Sequence, residues 1–469
     1  MEARCILVTA VLTACAANHP ADSPPTPPDS AQVAAFLDTL QRRTFDFFWE
    51  TTPTSNGLTP DRWPTLQFSS IAAVGFALTA YPIGVEHGWI TRAQAADRTR
   101  TTLRFFWTAP QDSAVSGATG YHGFFYHFLN AQTGQRYQNV ELSTIDTALL
   151  LAGVLFAQSY FDGSDSAEAE IRRLADSIYL RVDWNWAQAR PPAVSMGWHP
   201  EGGFIPADWI GYNEAMILNI LALGSPTHPV DSTTWAAWTS GYRWGSWYDR
   251  PHVGFGPLFG HQYSHVWIDF RRIQDAYMRA RGIDYFENSR RATYVQREYA
   301  KANPGAWRAY SDSIWGLTAG DGPANVTLQL GGRSRSFKTY WARGADFTGV
   351  TDDGTIAPTA VGGSVPFAPE ITIPALLAMR RTYGERLFST YGFRDGFNPT
   401  FTAAGRQEAG TVDTLLGWFD VDYLGIDQGP VLAMVENYRT QFVWNVMRKN
   451  AHIVRGLKRA GFTGGWLGP

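Results

Sequence analysis

The chain has 469 residues, 45% hydrophobic and 14% aromatic, with 17% charged and a formal net charge of −3. That hydrophobic share is enough for a large core in one big domain or two. There is no basic stripe, which argues against a nucleic-acid partner, and the near-neutral balance suits an uncharged substrate.

Among the aromatics are 19 Trp, 20 Tyr and 28 Phe. Buried rings carry much apolar area, so many belong to the core. Many Trp, however, sit in Gly/Pro-rich loops, where packing alone would not place them.

In chain order, the first feature is a leader. Arg4, an apolar run over 6–12 and Leu12-Thr13-Ala14-Cys15 read as a lipoprotein signal over 1–15, cut before a lipidated Cys15. An ordinary secretory signal cut after Ala14 or Ala17 is the other reading. Either takes the protein out of the cytoplasm, the first to a lipid-anchored place in the periplasm or outer membrane. The two cysteines, Cys5 and Cys15, are confined to this leader, so the body holds no disulfide and no thiolate metal site. Residues 16–30, rich in Pro and Ser, form a flexible tether, and 31–469 form a single domain. No later run reaches the length of a membrane span, so anchoring would be by lipid.

Residues 31–50, 91–109, 165–182 and 284–302 predict amphipathic helices, each with one apolar stripe and one wet face; 231–240 is a shorter one. Between them run segments apolar nearly all round: 69–81, 143–160, 213–223, 264–278, 369–383 and 427–447. A helix apolar on every side is buried on every side. Six dry helices alternating with wet ones predict an all-α fold, a single (α/α)6 barrel of six helical hairpins with the dry set inside. The sixth outer helix falls near 385–391. Strand signals at 325–329 and 336–340 lie in a Gly-rich, partly β insertion over 304–367 near the active-site mouth.

Inner helices of such a barrel run the same way, so their N-termini share one mouth. Polar and aromatic residues gather at those points. Glu141 and Asp146 open the second dry helix, and Asn213 and Glu214 the third. His261 and Gln262 open the fourth, Glu370 the fifth, and Tyr423, Asp427 and Gln428 the sixth. Asn213 reads as an N-cap, which puts Glu214 in the first helical turn, directly after a Trp/Gly-rich loop holding Trp209 and Tyr212.

Glycoside hydrolysis uses such carboxyl groups in pairs. One, held protonated, gives its proton to the leaving oxygen, and the other attacks the anomeric carbon or activates water. Each acid also has a plain structural reading, since acids complement the helix dipole in any first turn. Ser143-x-x-Asp146 fits a capping box, Asp427 an N-cap, and Glu370 follows Pro369 as a first-turn acid. His261 and His265 have the spacing of a helical metal pair but lack the accompanying glutamate. His122 and His127 are five apart, a poor same-face spacing. Hydrogen bonding to sugar hydroxyls or core carbonyls suits these histidines better than metal, and no cofactor is expected.

Several long blocks, GYNEAMILNILALGSPTHPV, DDGTIAPTAVGGSVPFAPEI and WFDVDYLGIDQGPVLAMVENYRTQFVW among them, strongly resemble the glycoamylase-like domain family. The resemblance spans roughly 35–467. It implies an α/α barrel that hydrolyses β-1,2-glucan to sophorose or short sophoro-oligosaccharides, with inversion and without metal. It places the proton donor on Glu214 and the base on Asp427, which would reach the water through a substrate hydroxyl. A further acid is expected early in the second inner helix. Asp146 occupies that place, where some endo-acting members carry glutamate, a departure that argues against endo action and against strict β-1,2 specificity. Glu141, His122, Phe124, Trp209, Tyr212, Asn213, His261, Gln262, Glu370, Tyr423 and Gln428 are the expected substrate contacts of a monomer. The alternatives are a non-catalytic glycan-binding lipoprotein, or a lyase or transglycosylase on the same scaffold.

Overall fold

The computed structural model describes residues 29–468. The leader with Cys15 and nearly all of the tether lie outside the described residues. Among the described residues, no helix is long and apolar enough to cross a membrane.

The helices sort into two layers by what they bury. Ile71–Glu86, Thr144–Tyr160, Met216–Gly224 and Gly425–Arg439 are buried on nearly every side. Ile71–Glu86 packs against Thr144–Tyr160 on one flank and Gly425–Arg439 on the other, so early and late segments of the chain close a ring. The wet helices form the outer layer. Ser30–Thr51 lies on Gly425–Arg439, Ser166–Leu180 on Thr144–Tyr160, and Ala451–Arg459 on Met216–Gly224. Ser166–Leu180 shows why such a sequence is helical: Asp165 caps its first amides, and Ile171, Leu174 and Ile178 share the buried face. The architecture is of the helical-barrel type.

Two inner helices touch backbone to backbone. A Cβ placed on Gly153 would sit 2.0 Å from the carbonyl oxygen of Gly75, and one on Gly75 2.3 Å from that of Leu149. Glycine at both points permits the approach.

Several expected elements differ. The fourth dry segment is helical only over Tyr263–Trp267, followed by extended chain and the short Ala276–Arg281 helix. In the fifth position, Pro358–Gly362 packs against Gly425–Arg439, while Pro369–Tyr383 packs outside it. Its Pro369, Glu370 and Pro374 face a surface depression. The sixth dry segment breaks at Gln441, whose φ is +61°, into Gly425–Arg439 and Phe442–Met447. No outer helix forms near 385–391; a 3-10 turn and a small hairpin, Phe388–Ser389 with Gly392–Phe393, stand there.

Short antiparallel strands decorate the barrel mouth. Gly120–Tyr121, Phe124–Tyr126, Leu142–Ser143, Gly197–His199 and Gly203–Phe204 make one sheet in that order. Leu142–Ser143 runs straight into the helix bearing Asp146. Arg62–Trp63 pairs with Tyr423–Leu424, with Arg62 opposite Leu424, which draws an early loop to the start of the last inner helix. The 304–367 insertion is β-rich, as expected: Val326–Leu330 pairs with Arg333–Phe337, tighter than the sequence spacing indicated. A buried Arg343–Asp353 ion pair at 2.7 Å anchors it.

Candidate active site

At the N-terminal ends of the inner helices lies a cavity of about 180 Å³. His127, Asp146, Glu214, Phe259, Tyr263, Tyr340 and Ile426 are among its lining residues. They come from segments more than two hundred positions apart. The insertion contributes Ala319 and Tyr340 and so forms one wall.

Glu214 sits in the turn just before Met216–Gly224, not in the first helical turn, because the helix starts later than the expected Asn213 N-cap. Ala215 holds the N-cap position without a side-chain bond, and Asn213 Oδ1 accepts from the Ala215 amide at 2.9 Å in a turn ahead of it. The carboxyl is enclosed by protein yet keeps some accessible surface towards the cavity. Burial pushes it up to about 7, against a backbone hydrogen bond and with a small push from Asp146. No basic side chain offsets that burial.

Only one half of the expected capping box forms at Asp146. Its amide donates to Ser143 Oγ at 3.1 Å, the cap, and Ser143 Oγ donates back to Asp146 Oδ2 at 2.5 Å. The same carboxyl lines the cavity. Burial raises it, while His127 holds it down. His127 in turn lies between two acids, with Nδ1 2.7 Å from Glu141 Oε1 and Nε2 3.4 Å from Asp146 Oδ2. Burial works against its charge, but Asp146 and Glu141 prevail and lift it to about 9. Glu141 is lowered despite burial, because it bonds His127.

Asp427 opens Gly425–Arg439 and is 4% exposed. Its neighbour Ile426 lines the cavity, whereas Asp427 is not among the lining residues. Burial pushes it up to about 7, opposed by a hydrogen bond from Asp395 and by Arg62. Asp395 lies well above the usual carboxylate range, through burial and repulsion from Asp427 and Asp321, so it is the member that keeps the shared proton. Tyr263 links the two sides. Its hydroxyl is raised by burial first, then by Asp427, Tyr340, Glu214 and Asp146, which places it in the field of both principal acids. Tyr340 is 52% exposed as a residue, but its hydroxyl is enclosed and feels Asp427 most after burial.

Glu214, Asp146 and Glu141 are therefore gathered at one place with Asp427 close by, and Glu370 is not. Glu370 pairs on the outer surface with Arg290 at 2.6 Å and with Tyr294, because the helix it opens lies outside the ring. Other expected contacts are structural. Phe124 is buried against Trp184. Trp209 donates its indole N–H to Thr144 Oγ1 at 2.9 Å. Tyr212 stacks in the core with Tyr285. His261 bonds the Phe255 carbonyl at 3.0 Å, and burial lowers it to about 3. Gln262 donates to the Ala360 carbonyl and Ser364, and Gln428 to the Phe393 carbonyl. Tyr423 is buried in its short strand against Tyr391. Asn213 is spent on the turn before Ala215. His122 stacks on Trp186 with ring centroids 4.5 Å apart, in a cluster with Tyr121, Trp198 and Phe204 beside a second, open depression.

His127, Tyr263, Tyr340 and Asp395 were not singled out as site residues. His127 has no helix to give it a period, and Tyr340 and Asp395 lie in loops and short strands. Only the YSH run beside His261 hinted at Tyr263.

Enclosed carboxyl groups with separated surroundings, at the mouth of a helical barrel, define the class of carbohydrate-active helical barrels. The Glycoamylase (glucoamylase) family model matches residues 206–451, more than half of the chain, and the protein belongs to that glycoamylase-like family. It is 27% identical over 457 residues to an exo-β-1,2-glucooligosaccharide sophorohydrolase (non-reducing end) of Parabacteroides distasonis, covering 90% of this chain. The chain spans only 57% of that relative's length. Among solved structures, an endo-β-1,2-glucanase of Chitinophaga pinensis with sophorotriose and glucose superposes with a TM-score of 0.78 at 25% identity. That match covers 92% of this chain and 99% of the other. A β-1,2-glucanase of P. distasonis gives 0.76 at 26% identity, covering 93% and 60%.

Proposed function

We propose that this protein hydrolyses β-1,2-glucan to sophorose or short sophoro-oligosaccharides, with inversion and with no metal in the chemical step. The observation that carries the reading is Glu214, a carboxyl enclosed at the cavity wall and held up to about 7 without a cationic partner. Such a group keeps its proton near neutrality and can give it to a leaving oxygen. The substrates named for the similar proteins support the linkage.

In this mechanism Glu214 protonates the glycosidic oxygen as the bond to the anomeric carbon breaks. Water attacks that carbon from the opposite face, and its proton passes to Asp427. Because Asp427 is not among the lining residues, a substrate hydroxyl relays the proton. A hydrogen bond from Asp395, and after it Arg62, favour the ionised form of Asp427 against burial and repulsion from Asp321 and Asp61, whereas no side-chain bond acts on Glu214. The exposed faces of the Tyr121, Trp186 and Trp198 cluster offer apolar platforms for sugar rings. We read the helical layers as an irregular (α/α)6 barrel. The apolar leader with Cys15 is read as the signal and lipid anchor that would hold the domain, as a monomer, in the cell envelope.

The test is incubation with β-1,2-, β-1,3-, β-1,4- and α-1,4-glucans, following new reducing ends, product length and the anomer first formed. β-1,2-glucan alone is expected to yield short α-anomeric products. Glu214→Gln is expected to keep oligosaccharide affinity while losing about 10²–10⁴-fold in rate. Binding without new reducing ends in the native protein would make it a glycan-binding protein instead. Unsaturated or cyclic products would replace hydrolysis by elimination or transglycosylation.

A further inference from the structure

Beside the cavity, Asp321, Asp420 and Asp422 each turn a carboxylate oxygen to a common point, with the three atoms within 4.8 Å of one another. Their hydrogen bonds account for only part of them. Asp420 Oδ1 accepts from the amides of Val421 at 2.7 Å and Asp422 at 3.2 Å. Asp422 Oδ1 accepts from the Thr65 amide at 2.8 Å. Asp420 is 1% exposed, and its Oδ2 has no partner at all. A buried carboxylate oxygen left without a donor is costly unless something positive meets it.

The nearby cations do not meet that need. Arg62 is shared between Asp321 Oδ2 at 2.7 Å and Asp61 Oδ2 at 3.1 Å. Arg394 donates to the Asp420 carbonyl, not its carboxylate. Arg343 is committed to Asp353 and to backbone carbonyls. Arg62 thus pairs directly with Asp61 and Asp321 only, and no guanidinium bonds the carboxylate of Asp420 or Asp422 among the described residues.

We propose that Asp321, Asp420 and Asp422 bind a hard divalent cation of the calcium class. An all-oxygen set of carboxylates suits such an ion, with water completing its shell. Its place in the fold gives it a job. Asp420 and Asp422 lie on the link between strand Gly417–Phe419 and the Tyr423–Leu424 strand, which leads directly into the helix carrying Asp427. Asp321 comes from the insertion and Asp61–Arg62 from the early loop. A cation here ties the insertion to the link that leads into the helix of Asp427, and takes no part in bond breaking.

The experiment is calorimetric titration of the EDTA-treated, full-length protein with CaCl2, with MgCl2 in parallel, and melting curves with and without each ion. Calcium is expected to bind with a stoichiometry of about one and to raise Tm by a few degrees, with magnesium weaker. Asp420→Asn keeps the oxygen that accepts the two amides and removes the free charge. It is expected to abolish binding and the calcium-dependent rise in Tm while melting, without ion, no lower than the native protein. Should that variant not fold, Asp422→Asn serves the same comparison. No binding heat and no shift in Tm at millimolar calcium would overturn the proposal and assign the excess charge to protons. Both readouts are independent of glucan cleavage, so the cation site and the hydrolase reading stand or fall separately.

Discussion

His127 Nδ1 donates a 2.7 Å hydrogen bond to Glu141 Oε1, across the turn that starts the second inner helix. With Asp146 3.4 Å from its other nitrogen, the imidazole is the cation of a small triad at the cavity wall. Its folded-state value of about 9 lies above the ordinary 6.5. The stability this contributes is therefore complete below about pH 6.5 and lost as pH rises through about 9. A rise from 6.5 to about 9 corresponds to about 3 kcal/mol.

Replacing the ring makes that visible. His127→Gln is expected to melt well below the native protein at pH 6 and to approach it at pH 10. Parallel melting curves across that range test the expectation, and a constant gap at every pH would exclude an ionised imidazole.

Activity should show two opposed titrations. Glu214 must hold its proton, so its contribution falls as pH rises through about 7. Asp427 must be ionised, so its contribution grows as pH rises through about 7. kcat/KM against pH is expected to be a narrow bell centred near neutrality, declining about tenfold per unit on either side. A plateau extending to pH 9 would remove Glu214 as the acid.

Stability carries the same signature with its own sign. Glu214 has a raised folded-state value, so the native state binds its proton more tightly than the unfolded chain, and stability is lost as pH climbs from about 4.5 to 7. Glu214→Gln is expected to melt above the native protein at pH 8 and level with it at pH 4. Equal melting at pH 8 would mean that the carboxyl is not held in an ion-hostile cavity.

Glu370 provides the contrasting case. Its pairing with Arg290 is a surface contact, with 45% of the Glu370 side chain exposed. Glu370→Ala is expected to leave glucan cleavage unchanged and to alter stability by less than about 1 kcal/mol. A large loss of rate would show that the outer helix reaches the substrate.

The helix crossing is expected to be intolerant. Gly153→Ala would place its Cβ 2.0 Å from the Gly75 oxygen, with backbone on both sides and no side chain to move aside. A loss of about 1–3 kcal/mol in urea unfolding is expected. Native stability in that variant would mean that the two helices are free to separate.

What could be read from the residues alone was whatever obeys a local period or a local cap. The apolar-all-round runs at 69–81, 143–160 and 427–447 announced the buried helices Ile71–Glu86, Thr144–Tyr160 and Gly425–Arg439 because burial on every side leaves no polar stripe, and the wet helices showed theirs. Asp146 was legible as a first-turn acid for the same local reason, whereas Asp427, expected as an N-cap, falls inside the first turn because the helix starts earlier, with Leu424 as its N-cap. The 369–383 helix misled because apolar content does not say which of two layers a helix joins; packing put Pro358–Gly362 inside and left Glu370 facing solvent. His127, Tyr263, Tyr340 and Asp395 acquire meaning only from neighbours remote in sequence. A pKa or a cavity wall is a sum over groups close in space, and one-dimensional spacing carries none of those distances.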